Sequence, residues 1–221
     1  MWTTEGGLWK RGIGRVAGVD EVGRGPLAGP VVAAAVILPG SADAGHRKVK
    51  KALAGIKDSK QLTEAARERY AELVREHAVG FGIGMRDVAE IDSLNILRAS
   101  LAAMADALEE LAGDPCSLAP EFVLVDGNLA IPSIGVEQLP MVGGDARCAS
   151  IAAASILAKV HRDRLMMELH GRYGAYGFDR NKGYGTPAHL AALAAHGPCP
   201  EHRRSFKPVQ DALSRQLAAA R

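Results

Sequence analysis

The chain has 221 residues, 48% of them apolar and 24% charged, which excludes a disordered or low-complexity polymer and leaves ample material for a buried core. Lys and Arg total 27 against 25 Asp and Glu, a net charge of +2, so a polyanion must be gripped by local patches and not by a global field. Cys116, Cys148 and Cys199 are an odd, scattered set without a CxxC pair, the start lacks the apolar core of a signal peptide, and the longest apolar run, 31–38, is too short to span a bilayer. The expected setting is a reducing cytoplasm, with no membrane contact.

Residues 1–13 are expected to form an N-terminal tail. Residues 15–20 and 31–38 read as two buried strands, separated by a turn holding Gly23, Gly25, Pro26, Gly29 and Pro30. A basic loop carrying Arg47, Lys48, Lys50 and Lys51 follows. Thr63 is placed to cap a helix to about His77, with Glu64 in its positive first turn. Residues 79–85 alternate apolar side chains with glycine and predict a third strand. Asp92 is expected to cap a long helix to about Leu111, whose stripe is Leu94, Leu97, Leu101, Met104 and Leu108.

Phe122 to Val125 is a short, wholly apolar strand, as expected where both faces are covered. One or two weaker strands fall between Leu129 and Met141, and a long helix runs from Ala146 to about Leu169. Thr186 before Pro187 starts a compact helix that Gly197-Pro198 ends. Interleaved strands and helices predict an α/β protein with one sheet and helices packed on it.

Chemistry concentrates where strands end. In the run from Gly18 to Pro26, Asp20 and Glu21 close an apolar strand and lead into a glycine turn. A buried carboxylate needs a cation, a helix N-terminus or water, so these acids are either a solvated strand end or part of a ligand set. Neighbours on a strand face opposite sides, so the two are expected to converge only where the strand breaks. Asp126 likewise ends a buried strand, just before Gly127. Strand ends are where α/β sheets place ligands, and hard divalent cations such as Mg²⁺ prefer carboxylate oxygens.

Asp163, between Arg162 and Arg164, reads by itself as a surface ion pair, unless that end of the helix crosses the same sheet edge. Arg24 and Gly25 stand where a phosphate loop needs Lys and Ser or Thr, which argues against one. His196, Cys199 and His202 lack a fourth ligand for zinc. Residues 202–207 are basic, most simply a solvated face with a role in phosphate contact, and Ser155 reads as packing.

Six segments in order resemble bacterial ribonuclease HII: GVDEVGRGPLAGPVV (18–32), KDSKQL (57–62), VDGN (125–128), ASIAAASILAKVHRD (149–163), NKGYGT (181–186) and HRRSFKPV (202–209). The resemblance covers about 14–209. It implies a ribonuclease H-like fold, a five-stranded mixed sheet with helices on both faces and a helical C-terminal part. Residues 14–209 would form the catalytic domain and 210–221 a tail or helix. Only 19 residues precede Asp20, which favours this type over its sister, ribonuclease HIII, with its added N-terminal domain.

Members of that family cut the RNA strand of RNA–DNA hybrids and incise beside single ribonucleotides in duplex DNA, the step that begins ribonucleotide excision repair. By resemblance, Asp20, Glu21, Asp126 and Asp163 would be the catalytic and metal-holding acids, taking two Mg²⁺ or Mn²⁺ ions about 3.5–4 Å apart. Gly23, Arg24 and Gly25 would contact the 2′-OH at the junction, and Tyr184 would stack on its sugar. Lys60, Lys182 and Arg47 would join Arg24 on phosphates. Products would carry 5′-phosphate and 3′-hydroxyl ends. A monomer is expected. The C-terminal segment reads as an amphipathic helix, with a sliding-clamp peptide at 210–213 or 216–217 as the lesser alternative.

Overall fold

A computed structural model describes residues 1–56, 62–113, 119–132 and 134–219. Its strands are β1 (Val16–Val22), β2 (Val31–Ile37), β3 (Gly80–Arg86), β4 (Phe122–Asp126) and β5 (Glu137–Met141). They form one sheet in the order β3-β2-β1-β4-β5. β1 is antiparallel to β2 and parallel to β4, and β4 is parallel to β5, so the sheet is mixed. The helices are α1 (Thr3–Lys10), α2 (His46–Ala52), α3 (Glu64–His77), α4 (Val88–Leu94), α5 (Ile96–Gly113), α6 (Ala149–Arg172), α7 (Phe178–Asn181), α8 (Pro187–His196) and α9 (Lys207–Ala219).

The described residues group into two compact units, the first from 1–22, 32–85 and 100–160, the second from 23–31, 86–99 and 161–221. The chain changes unit after β1, after the first residue of β2, before the last residue of β3, within α5 and within α6, so no linker or shift in composition marks the division.

The first unit holds the sheet. Every residue of β2 is buried, which for a run of Val, Ala and Ile requires cover on both faces. On the face carrying Gly18, the first part of α6 lies so close that a Cβ added there would stand 2.2 Å from the main-chain carbon of Ser150. Leu8, Phe122, Leu124, Met141, Cys148 and Ile151 fill that layer.

The expected tail 1–13 contains α1. Its Glu5 is 1% exposed and accepts hydrogen bonds from the N–H and Oγ of Ser150 at 3.0 and 2.9 Å, so it caps α6 from far away in sequence. Gly6 and Gly7 weaken the local helix signal, and burial of Leu8 overrides them.

In β3 the glycines, not the apolar side chains, are fully buried: Gly82 and Gly84 lie against the main chain of α5 at Ala107 and Ala103. The basic stretch at 47–51 is helical, in α2. Thr63 and Thr186 cap α3 and α8 as expected. Asp92 is not a cap. Asp87 starts α4 through a capping box with Glu90, and Asn95, at φ 71°, separates α4 from α5.

In the second unit, Ala28, Met166, Leu169, Tyr176, Phe178 and Cys199 make one core cluster, and Leu27, Leu193, Val209 and Ala212 another. Asp92 sits inside α4, and its carboxylate accepts the N–H groups of Arg204 and Ser205 at 2.8 and 2.9 Å, ahead of α9. The segment 210–213, one candidate clamp peptide, is helical and turns Ala212 into this core, whereas Leu217 is 68% exposed.

Candidate active site

The acids of the first unit are brought together by strand pairing. β1 and β4 run parallel with Val19 opposite Val125, so Asp20 and Asp126 leave adjoining strands at the same end and on the same face. β1 does not break at Asp20. It continues through Val22, with Asp20 opposite Ala34 and Glu21 opposite Ala33, so alternation sends Glu21 to the other face. The expected strand break is therefore absent, and what joins Asp20 to a second carboxylate is the neighbouring strand.

Asp20 is 6% exposed. Burial first, then the negative charges of Glu21 and Asp126, push its carboxyl well above the usual range. Hydrogen bonds from the Ser155 side chain and the Glu21 N–H oppose that push. The Glu21 N–H donates to Asp20 Oδ1 at 2.7 Å, and the Gly144 N–H to Asp126 Oδ1 at 2.6 Å. Ser155, read from sequence as packing, is thus a site residue. The available signal was its place one helical turn after Ile151, in the helix that presses on Gly18 beneath the acids.

Among the described residues, no three His, Cys, Asp or Glu side chains are already gathered as a metal cage. Asp20 and Asp126 nevertheless form a hard oxygen pair whose mutual repulsion is held in a desolvated place, and that donor chemistry fits a divalent cation.

The second unit holds the other predicted residues. Asp163 lies on α6 and is 8% exposed, and its neighbour Arg162 is 0% exposed, so neither stands on the surface as expected from sequence. Gly23 and Gly25 flank the exposed Arg24. Gly23 has φ +98°, and a Cβ on it would stand 2.3 Å from Arg162 Nε, so its missing side chain makes room for a guanidinium. Gly25 is exposed, and the Tyr184 ring lies 3.5 Å from where its Cβ would be, so turn and tyrosine form one surface. Tyr184 itself is 45% exposed. Lys182, at φ 49°, precedes it, and its Nζ bonds the Asp179 carbonyl at 2.6 Å. Lys60 lies outside the described residues. Arg47 is exposed on α2, in the first unit.

The basic run 202–207 was expected as a solvated face, yet His202 and Arg203 are both 0% exposed. The ring of His202 joins that of His189, Nε2 to Nε2, at 3.0 Å. The Cys199 N–H donates to His202 Nδ1, so that ring carries its proton on Nε2 and gives it to His189. The His189 Nδ1–H then donates to the Tyr184 carbonyl at 2.9 Å. Desolvation lowers both imidazoles, His202 to about 4, which keeps this chain neutral. Nothing in the sequence brought these histidines together.

The arrangement of acids at adjoining strand ends of a five-stranded mixed sheet belongs to the ribonuclease H-like nucleases. The ribonuclease H2 of Pyrococcus horikoshii OT3 superposes with a TM-score of 0.71 at 25% identity, covering 91% of this chain and 98% of that one. A ribonuclease HII solved as a PCNA complex from Archaeoglobus fulgidus gives 0.69 at 26% identity, covering 89% of this chain and 96% of that one. The ribonuclease HII of Desulfitobacterium hafniense is 52% identical over 206 residues, 93% of this chain and 74% of the relative. The ribonuclease HII family model matches residues 17–209, and the chain belongs to that family. It is thus an endoribonuclease that hydrolyses RNA in RNA–DNA hybrids, of a family that depends on divalent metal. No helix among the described residues is long and apolar enough to cross a membrane.

Proposed function

We propose that this enzyme, besides degrading hybrids, incises duplex DNA on the 5′ side of an embedded ribonucleotide, leaving 5′-phosphate and 3′-hydroxyl ends. The observation that carries the reading is the buried Asp20 beside Asp126 at the end of adjoining strands. Asp20 and Asp126 would hold two divalent cations, Mg²⁺ or Mn²⁺, with Glu21 and Asp163 added on the strength of their motifs. Bound there, such ions supply the Lewis acidity that phosphodiester hydrolysis requires.

The chain's own groups do the rest. Ser155 and the Glu21 N–H fix the Asp20 carboxylate, and the Gly144 N–H fixes Asp126. Gly23, Arg24 and Gly25 read the 2′-OH through main-chain groups, Tyr184 stacks on the sugar, and Lys182, Lys60 and Arg47 meet phosphates. A clamp contact through Leu217 is a secondary reading, favoured by that side chain's exposure and by the Archaeoglobus complex. The cytoplasm is the compartment we assign.

The test is a duplex with one ribonucleotide, incubated with Mg²⁺ and then with EDTA. Cleavage 5′ of the ribonucleotide is expected in Mg²⁺ alone. Asp126→Asn should lower it at least about a hundredfold, since it removes a charged ligand without altering shape. Comparable cleavage of an all-DNA duplex, or an undiminished Asp126→Asn enzyme, would refute the reading.

A further inference from the structure

Two guanidinium groups are buried completely in the second unit, and the proposed chemistry uses neither. Arg203 donates from Nε to the Gly29 carbonyl at 3.0 Å and from one terminal nitrogen to Arg24 at 3.1 Å. Its other terminal nitrogen donates to Gly23 at 2.6 Å, Gly29 at 2.8 Å and Pro30 at 3.3 Å. Arg162 donates to Pro30 at 2.9 Å, Ala28 at 3.0 Å and Lys182 at 2.9 Å. All these acceptors are main-chain carbonyls. Five of them belong to the loop 23–30 that contains the Gly23-Arg24-Gly25 turn, and the sixth lies two residues before Tyr184.

Burying a cation is expensive, and a core needs none for packing. Desolvation lowers Arg162 to about 10 and Arg203 to about 9, so both stay charged at neutral pH. Such a pair stiffens a glycine-rich loop whose main chain is also tied at Leu27 to Gly183 and Arg203 and at Gly29 to Glu201. It also sets direction. In a trans peptide the carbonyl of one residue and the N–H of the next point opposite ways. With the Gly23 and Arg24 carbonyls drawn inward to Arg203, the Arg24 and Gly25 N–H groups are aimed to the turn's exposed side, where the Tyr184 ring lies beside Gly25.

We infer that Arg203, backed by Arg162, is the positioning residue for ribonucleotide selectivity: its planar fork orients the amides of the Gly23-Arg24-Gly25 turn that read the 2′-OH. The inference rests on the junction reading proposed above. Lysine keeps the charge but offers a point donor that cannot span Gly23, Arg24 and Gly29 together.

The experiment measures kcat/KM for wild type and Arg203→Lys on two substrates, a duplex with one embedded ribonucleotide and a uniform RNA–DNA hybrid. Because one protein sample meets both, the ratio does not depend on how much of the variant is folded. A residue that merely holds the fold leaves the ratio unchanged. A positioning residue lowers it, on the order of tenfold, because the uniform hybrid offers many 2′-OH groups and tolerates a loosened turn. Should Arg203→Lys yield no soluble protein, Arg162→Lys is read by the same ratio. A ratio within about twofold of wild type overturns the inference. Wild type that cuts the hybrid but not the single-ribonucleotide duplex overturns the junction reading itself, and this inference with it.

Discussion

At the scale of single residues, the imidazoles of His189 and His202 show how a buried polar chain fixes a main-chain position. His202 faces His189, the rings of Tyr176 and Phe178, and the Cys199 N–H and thiol, and its ring centroid is 4.7 Å from that of Tyr176. A second proton on His202 would go to Nδ1, against the Cys199 N–H 3.0 Å away, and one on His189 to Nε2, against the His202 Nε2–H across 3.0 Å. The folded pKa of His202, about 4, lies below the unfolded value near 6.5. Between those limits the unfolded chain takes up a proton that the folded chain refuses, so stability falls as pH drops through that window and levels off below it. Thermal melts from pH 7.5 to 4.5 should show this loss, and His202→Gln should show a shallower slope from a lower starting point. Parallel slopes would place the acid sensitivity elsewhere.

Residue by residue, the strand-end placement of Asp20 and Asp126 was readable because a carboxylate that closes an apolar strand stands out in any sequence. Arg162 and Arg203 were not, because each lies among charged neighbours in the sequence, the pattern of a solvated face. Only the fold supplies the carbonyls that cancel their burial. Ser155 hid among alanines for a similar reason: a hydroxyl in a small-residue run reads as packing until the strand opposite is known.

Among the elements, α6 depends on α1 for its start. An Ala at 149 and a Ser at 150 offer no cap of their own, and Glu5 provides it across 145 residues. Glu5→Ala should therefore cost about 1–2 kcal/mol, or about 2–8 °C in Tm for a chain of this size. Glu5→Gln retains an acceptor for the Ser150 N–H and should recover most of that loss. Unchanged melting of Glu5→Ala would show that α6 needs no such cap. Caps supplied locally, at Thr63 and Thr186, were legible in the sequence. The capping box at Asp87 was overlooked because Asp92, also an acid, stood closer to the apolar stripe. In β3, alternation was visible, but nothing in it marked the glycine side as the inward one. The glycines, which a hydrophobic count ranks low, are what let α5 approach.

Across the whole molecule, one sheet with helices packed on it was legible in the interleaving of strands and helices, and the family resemblance implied five strands in a mixed sheet, whereas the strand order and the parallel pairing of β1 with β4 come from the structure. The division into two compact units was invisible, since the chain crosses it without a linker. That division separates Asp126 from the turn at Gly23–Gly25. Asparagine at 126 can still accept the Gly144 N–H, so the exchange leaves local geometry intact. Blunted in this way, the protein should still settle on misincorporated ribonucleotides and stay there, visible as a mobility shift on a one-ribonucleotide duplex and absent on plain DNA. Carrying a dye, it would become a stain that marks where polymerases have erred in a genome.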